Sequence, residues 1–574
     1  MLKRRIDVAA GREPADIVLK NAQYVNVFTG EICSGDIAIA GDRVVGIGEY
    51  SGKEEIDVSG LTVLPGYING HVHIESSQLS PEEFARIVVP HGTTAIIADP
   101  HEITNVCGLA GTEYILKASQ NVPLDVHVQL PSCVPATPFE TSGAVLNGDD
   151  IAANIGRDDI NGLAEFMDYP GVVNTNPDSL KKLSSTLDCG KIIDGHAPSL
   201  TGKDLNAYLC GGITTDHECI VPEEAEDKIS RGMYCHLRHG SSTRNLVLNS
   251  KAVTAMNLRR FLLCTDDRHV SDLMRTGDLD DALRKLVGGG LDPVWAVIIA
   301  TLNNAECYRL QWRGAVAPNY YADLVVVDNL SATGFNAAYV FKDGKLVAKD
   351  GKALFDTSNR YLPESVLNTV HLDEMHADDF RLTLTGKRAR VMQIVPDNVA
   401  TKCVIREVES KDGDVVVKGT DLLKLAVVER HHRTGNIGKG LLEGYGFKGG
   451  CLGITIAHDS HNVILLGDNN EDMARAANHL AEIGGGMVIA HDGICESVPL
   501  DIGGLMSSAD AEVHEARAYE LIEKAYGMGV DRRLEAFMSL AFLSLAVIPD
   551  IKLLDTGLFD VVKFGFTSIN ADED

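Results

Sequence analysis

Two histidines stand one residue apart at the end of an apolar run: "LPGYINGHVHIESS" (64–77) carries His71 and His73. In an extended strand residues i and i+2 point to the same side, so both imidazoles face one space. Two neutral imidazoles crowded together need a shared partner, and a cation supplies it. Other donors close later apolar runs: Glu165 in "NGLAEFMDYP" (161–170), His196 in "GKIIDGHAP" (190–198), His217 in "GGITTDHE" (211–218) and Asp266 in "RRFLLCTDDRH" (259–269). Any one of these alone reads as an ordinary hydrogen-bonded residue; together they read as metal chemistry. Imidazole and carboxylate without thiolate suit Zn²⁺, Mn²⁺ or Fe²⁺. The set exceeds the needs of one tetrahedral ion. It fits two, with His71, His73 and Asp266 on one, His196 and His217 on the other, and Glu165 bridging. Two ions sharing a water lower its pKa and make a nucleophile at neutral pH. Asp266 is then the group to take the water's proton and pass it to substrate.

Residues so far apart in sequence meet only if the fold gathers strand ends. Between about 63 and 312 apolar β-type runs alternate with helical stretches. Besides those above they are "LTVLPGYINGHVH", "TTAIIADPH" (93–101), "LDVHVQLPSCVPA" (124–136) and "GMYCHLRHGSS" (232–242). Their spacing is close to the ~30 residues of a βαβ unit, and their count predicts a closed (β/α)₈ barrel, whose C-terminal strand ends converge on one mouth. Several are apolar on both faces, as parallel strands covered by helices should be. Residues 1–62 and 313–360 have a different texture of short alternating segments, including a "KDGK" hairpin signal, and predict one small composite β domain. Residues 365–574 predict a separate α/β domain: "KCVIREVESKDGDVVVKG" reads as a hairpin, and "NEDMARAANHLAEIGGGMVIA" as helix, Gly break and strand. The fold class is therefore α/β, a TIM-like barrel with a split β-sandwich and a C-terminal α/β domain.

Bulk composition narrows the partners. The 574 residues carry a formal net charge of −29, which repels phosphate backbones and anionic lipid, so neither nucleic acid nor a membrane surface is expected. No apolar run approaches the ~18 residues of a membrane span, and the N-terminus lacks the apolar core of a secretory signal. Twelve cysteines without regular spacing suit a reducing cytoplasm better than a disulfide framework.

At this point the residues carry a resemblance. The split β domain, the HxH after the first barrel strand, the single histidines on strands five and six and the Asp on strand eight resemble the amidohydrolase superfamily. More narrowly, "PGYINGHVHIESS", "TTAIIADPHEITNV", "IIDGHAP" and "CTDDRH", with "RHHRTGNIGKGLLEGYGFKGG" and "IAHDSHN" in the last zone, resemble adenine deaminases of the bacterial and archaeal type. The similarity covers nearly the whole chain. It implies hydrolytic deamination of adenine to hypoxanthine and ammonia in purine salvage, at a binuclear centre with Mn²⁺ first and Fe²⁺ or Zn²⁺ as alternatives. It also implies a homo-oligomer, a dimer or larger. Asn69 stands where many superfamily members carry Asp, at a position that is not a ligand. The rival reading on the same scaffold is another amidohydrolase, acting on an N6-substituted purine or a cyclic amide. A dihydroorotase-like centre would want a carboxylated Lys where Glu165 stands. A non-catalytic scaffold would show gaps in the ligand set, and none is missing.

Further residues qualify as substrate contacts or supports of the ligands: Glu75 just after the HxH, Asp99, His101 and Glu102 in "ADPHEI", Arg238 in "LRHGSS", and Asp267. Adjacent strand residues face opposite ways, so only one of Asp266 and Asp267 should enter the site, and the superfamily analogy favours Asp266. His73-Ile74-Glu75 also spells the H-x-E of the other zinc deaminase design, but the P-C-x-x-C that completes it is absent. "GNIGKG" (435–440) lacks the spacing of a phosphate loop and reads as a Gly-rich turn. His458, Asp459 and His461 form a second His/Asp group, read as a loop with metal binding as the lesser alternative.

Overall fold

The computed structural model describes residues 1–241, 243–396 and 400–572. It falls into two compact units, the first formed by 1–100, 115–132 and 147–361, the second by 101–114, 133–146 and 362–574. No helix among the described residues is long and apolar enough to cross a membrane.

The first unit holds the barrel. We number its strands β1 (Tyr67–Val72), β2 (Thr93–Ala98), β3 (Asp125–Leu130), β4 (Gly162–Phe166), β5 (Ile192–Gly195), β6 (Thr215–Asp216), β7 (Tyr234–Arg238) and β8 (Phe261–Cys264). β1 to β5 form one parallel ladder and β6 to β8 another. Two seams close the ring. Thr214 donates its N–H to the Ile193 carbonyl at 3.0 Å, and Asp266 donates to the His71 carbonyl at 3.0 Å. β1, β2, β4 and β5 are buried along their whole length, as parallel strands under helices must be. The sequence run through β1 splits in two: Thr62–Pro65 pairs in the small β domain, and Gly66 separates it from the barrel strand. β6 is only two residues long, because the chain leaves it at once for the loop bearing His217.

The composite β domain is two sheets around one core. Four strands between Ala15 and Asp57 form one sheet; in the other, Gln23–Asn26, Glu31–Ser34 and Thr62–Pro65 join three strands from Leu324–Lys349 and the short Lys352–Ala353. Leu19, Ile37 and Ile39 pack with Val63, Leu324, Val326 and Phe341, so segments from both ends of the barrel sequence share one interior. The "KDGK" hairpin forms as expected, with Asp343 and Gly344 at positive φ between Ala337–Lys342 and Lys345–Lys349.

The second unit carries an eight-stranded, mostly antiparallel sheet. Its helix Asn470–Glu482 starts where the Asn469 side chain accepts the Asp472 N–H, and lays Met473, Ala476, Ala477 and Leu480 on Cys451, Val463 and Val488. Two expectations change here. Thr401–Glu407 pairs along its length with Arg388–Ile394, leaving only a two-residue ribbon, Ser410–Lys411 with Asp414–Val415, of the hairpin read within 402–419. The "GNIGKG" stretch opens the strand Ile437–Glu443 instead of making a turn; Gly438 sits there because a Cβ would meet the Leu554 carbonyl oxygen at 1.8 Å.

Candidate metal centre

Strand ends β1, β4, β5, β6 and β8 deliver His71, His73, Glu165, His196, His217 and Asp266 to one place. His71 lies within β1 and His73 one residue past it; their Nε2 atoms are 3.1 Å apart. The His73 ring donates its Nδ1–H to the Asp99 carbonyl at 2.9 Å, which leaves the Nε2 lone pair facing the centre. Asp266 Oδ1 lies 3.2 Å from His73 Nε2 and 3.6 Å from His71 Nε2. Glu165 spans the cluster: one oxygen is 3.6 Å from His73 Nε2, the other 2.7 Å from His196 Nδ1 and 3.1 Å from His217 Nε2. The His217 ring stacks on His71 with centroids 4.0 Å apart.

The surroundings hold these groups still. Asp266 turns into the centre through a left-handed backbone, φ 58°. Its Oδ2 accepts from Arg238 Nη1 at 2.7 Å, so Oδ1 is the oxygen left for chemistry. Asp267, next in sequence, accepts from the Ser76 hydroxyl instead. The Glu75-Ser76-Ser77 segment is one 3₁₀ turn: Ser77 donates to the Ile74 carbonyl, Ser76 anchors the strand-eight loop, and Glu75 is buried within it. Asn69 exchanges hydrogen bonds with Thr265, stitching β1 to β8 below the ligand layer. Tyr208 bonds both the Phe166 carbonyl and the His196 N–H, tying the ends of β4 and β5.

The donor set fits divalent cations. Burial, with His217 and His73 beside it, pushes His71 well down and keeps it neutral. Burial works against ionisation of Asp266 and Glu165 too, yet Arg238 and His73 hold the first, and His196 and His217 the second, well below the usual carboxylate range. Against the same burial, Asp266 and Glu165 pull His73 upward. A cation relieves that competition for protons. The 3.1 Å separation of the two Nε2 atoms is the edge that two ligands at ~2.1 Å make across an angle of about 95°.

Comparison with known proteins follows the same division. Residues 62–347 match the amidohydrolase family, and residues 398–565 match the adenine deaminase C-terminal domain. The adenine deaminase of Clostridium acetobutylicum is 45% identical over 568 residues, covering 98% of this chain and 99% of that protein. That of Nitratidesulfovibrio vulgaris is 46% identical over 571 residues, 99% of each chain, and that of Geobacillus kaustophilus 43% identical over 575 residues, again 99% of each. The chain belongs to the adenine deaminase family. Its amidohydrolase barrel makes it a hydrolase that uses divalent metal, in keeping with the buried His and carboxylate clusters.

The remaining expected contacts of this adenine deaminase barrel sort themselves by partner. Arg238 is buried between Asp266 and Glu218, bonded to both carboxylates. Glu218 is a site residue that the sequence reading passed over, although it directly follows His217. One of its carboxylate oxygens groups with nitrogens of His196 and His217 within 4.8 Å. Asp99 serves through its backbone carbonyl on His73.

His101 and Glu102 open the helix His101–Cys107, which belongs to the second unit. There Glu102 meets the C-terminal "IAHDSHN" loop: its Oε1 is 3.5 Å from His458 Nδ1. His458 stacks on Phe542, and Asp459 Oδ1 lies 3.8 Å from His458 Nδ1. His461 is fully buried, and its Nδ1 accepts the Ala457 N–H at 3.3 Å. The proton of a neutral ring therefore sits on Nε2, which finds no hydrogen-bond partner among the described residues. That nitrogen is a donor, not a lone pair offered to a metal.

Proposed function

We propose that the barrel centre deaminates adenine, converting adenine and water to hypoxanthine and ammonia with two divalent ions, Mn²⁺ first. His71, His73 and Asp266 would hold one ion, His196 and His217 the other, and Glu165 would span both. The observation that carries this reading is Glu165, whose two oxygens face two different histidine sets. When bound, such ions would lower the pKa of a water they hold and polarise the group it attacks.

The chain's own residues supply the rest. Asp266 Oδ1 accepts the proton of the attacking water, while Arg238 on Oδ2 keeps the carboxylate oriented. The same proton returns to the amino group as the C6–N bond breaks. The second proton of the water ends on the adjacent ring nitrogen, so that C6 becomes the carbonyl of hypoxanthine. His73, locked through Nδ1 by the Asp99 carbonyl, keeps its Nε2 from turning away, and Tyr208 on the His196 N–H holds that strand end in place.

By domain the reading is 1–62 with 313–360, 63–312 and 365–574, with 101–114 and 133–146 of the middle stretch belonging to the second compact unit. A cytoplasmic location is supported by the cysteines, all of them free thiols in the structure. The deciding experiment is ammonia release by Mn²⁺-loaded protein from a panel of aminopurines. Adenine should be the best substrate. Release from an N6-substituted purine but not from adenine would keep the chemistry and discard the substrate.

A further inference from the structure

Glu218 has no role in the ligand scheme, yet it is built into the centre with care. Its backbone N–H is held by Asp216 Oδ1 at 3.0 Å, and Asp216 is itself held by the fully buried Lys228. Its carboxylate is gripped by both terminal nitrogens of Arg238, the guanidinium that also orients Asp266. Glu218 Oε1 lies 3.7 Å from His217 Nε2. That is longer than the 2.7 Å and 3.1 Å by which Glu165 meets His196 and His217. Both Glu218 oxygens are already engaged by the fork.

Exposure separates Glu218 from most of its neighbours. The side chains of His71, His73, Glu165, His217 and Asp266 are all below 9% exposed, whereas Glu218 is 18% and His196 25% exposed. These two form the reachable edge of the cluster. A carboxylate has about four lone-pair directions, and a bidentate guanidinium takes two. The remaining ones are free of the fork and accept hydrogen bonds. An aminopurine offers what they need, N–H groups on its amidine edge or its ring.

We propose that Glu218 contacts the substrate, accepting an N–H hydrogen bond from the aminopurine, and that Arg238 is the positioning residue that aims it. The proposal rests on the proposed function for its ligand class. One guanidinium thereby sets both the proton-accepting carboxylate, Asp266, and the substrate-holding one, so that the two keep a constant relation.

The test is Glu218→Gln and Glu218→Asp in Mn²⁺-loaded full-length protein, with metal content measured beside steady-state kinetics. A lost charge-assisted hydrogen bond that acts equally on bound substrate and transition state raises KM about 10- to 150-fold, with kcat little changed. Glu218→Asp, which keeps the acceptor, should raise KM less. Metal content should stay at the wild-type value in both. Loss of a metal equivalent would make Glu218 a ligand. An unchanged KM would reduce it to a counter-ion for Arg238, and a fall in kcat alone would make it a proton carrier; each overturns the proposal. The wild-type protein is run on the same aminopurines. If it prefers another of them to adenine, the substrate reading fails while Glu218 is still judged on the compound that turns over.

Discussion

Both units of this protein bury a cluster of histidines and carboxylates, and the two clusters differ in which ring nitrogen the backbone takes. In the barrel, the Asp99 carbonyl accepts the Nδ1–H of His73 and turns Nε2 toward the other ligands. In the second unit, the Ala457 N–H donates to Nδ1 of His461 and forces the proton onto Nε2. The residue types are alike: His, His and a carboxylate within 4.8 Å in each case. A carbonyl presents a metal ligand; an N–H presents a hydrogen-bond donor. Residue type and burial are therefore poor guides to a metal site until the far nitrogen is accounted for.

The largest effect expected from that contrast comes from removing a barrel imidazole. His73→Ala should lower bound metal and cut turnover by at least about 10³-fold, since nucleophile and proton transfer both depend on the centre. Elemental analysis and ammonia release check it. Full metal content in this variant would place the ions elsewhere. Asp266→Asn is next. It keeps an oxygen toward His73 but cannot accept the water's proton, so kcat should fall about 10²- to 10⁴-fold with the fold retained by circular dichroism. Near-normal rates would shift the proton-transfer role to another group.

The second cluster predicts the opposite behaviour. Replacing His458 and His461 together by Ala should leave metal content at the wild-type value, because His461 presents a donor where a ligand set would need a lone pair. Loss of one equivalent would erase the contrast and make the second unit a cation site.

Much of the barrel cluster was legible because its signal is local. A strand repeats every two residues, so His71 and His73 share a side, and each later donor closes its own apolar run. The Asn470–Glu482 helix and the "KDGK" hairpin were legible for the same reason. What escaped depends on partners distant in sequence. Glu218 looks like any carboxylate after a strand until Arg238, twenty positions on, is seen to grip it. The role of Ser76 needed Asp267, and that of Asn69 needed Thr265. The tautomer of His461 rests on a backbone N–H that no residue type announces. Likewise, Gly438 reads as a turn glycine until the Leu554 carbonyl is seen to leave no room for a Cβ. That residues 101–114 and 133–146 join the second unit follows from packing, and nothing in their spacing foretells it.

Two buried lysines extend the comparison from chemistry to stability. Lys228 in the first unit bonds Asp216, Glu224 and the Ala197 carbonyl, and although burial opposes it, Asp216 raises its pKa above the ordinary range. Lys552 in the second unit donates to the Phe542 carbonyl, and burial lowers it to about 7, with Asp550 only partly opposing. A base whose folded pKa is depressed binds fewer protons folded than unfolded between the two values. Stability should therefore rise with pH from about 7 toward the unfolded lysine value near 10.4, by up to about 1.4 kcal/mol per pH unit from this group. Lys228, with its raised pKa, keeps its contribution throughout that window. Lys552→Met should therefore flatten the rise in unfolding free energy measured by denaturant titration between pH 7.5 and 9. Equal slopes in the variant and the parent would mean that Lys552 stays charged in the folded protein, and that the two units treat a buried ammonium alike.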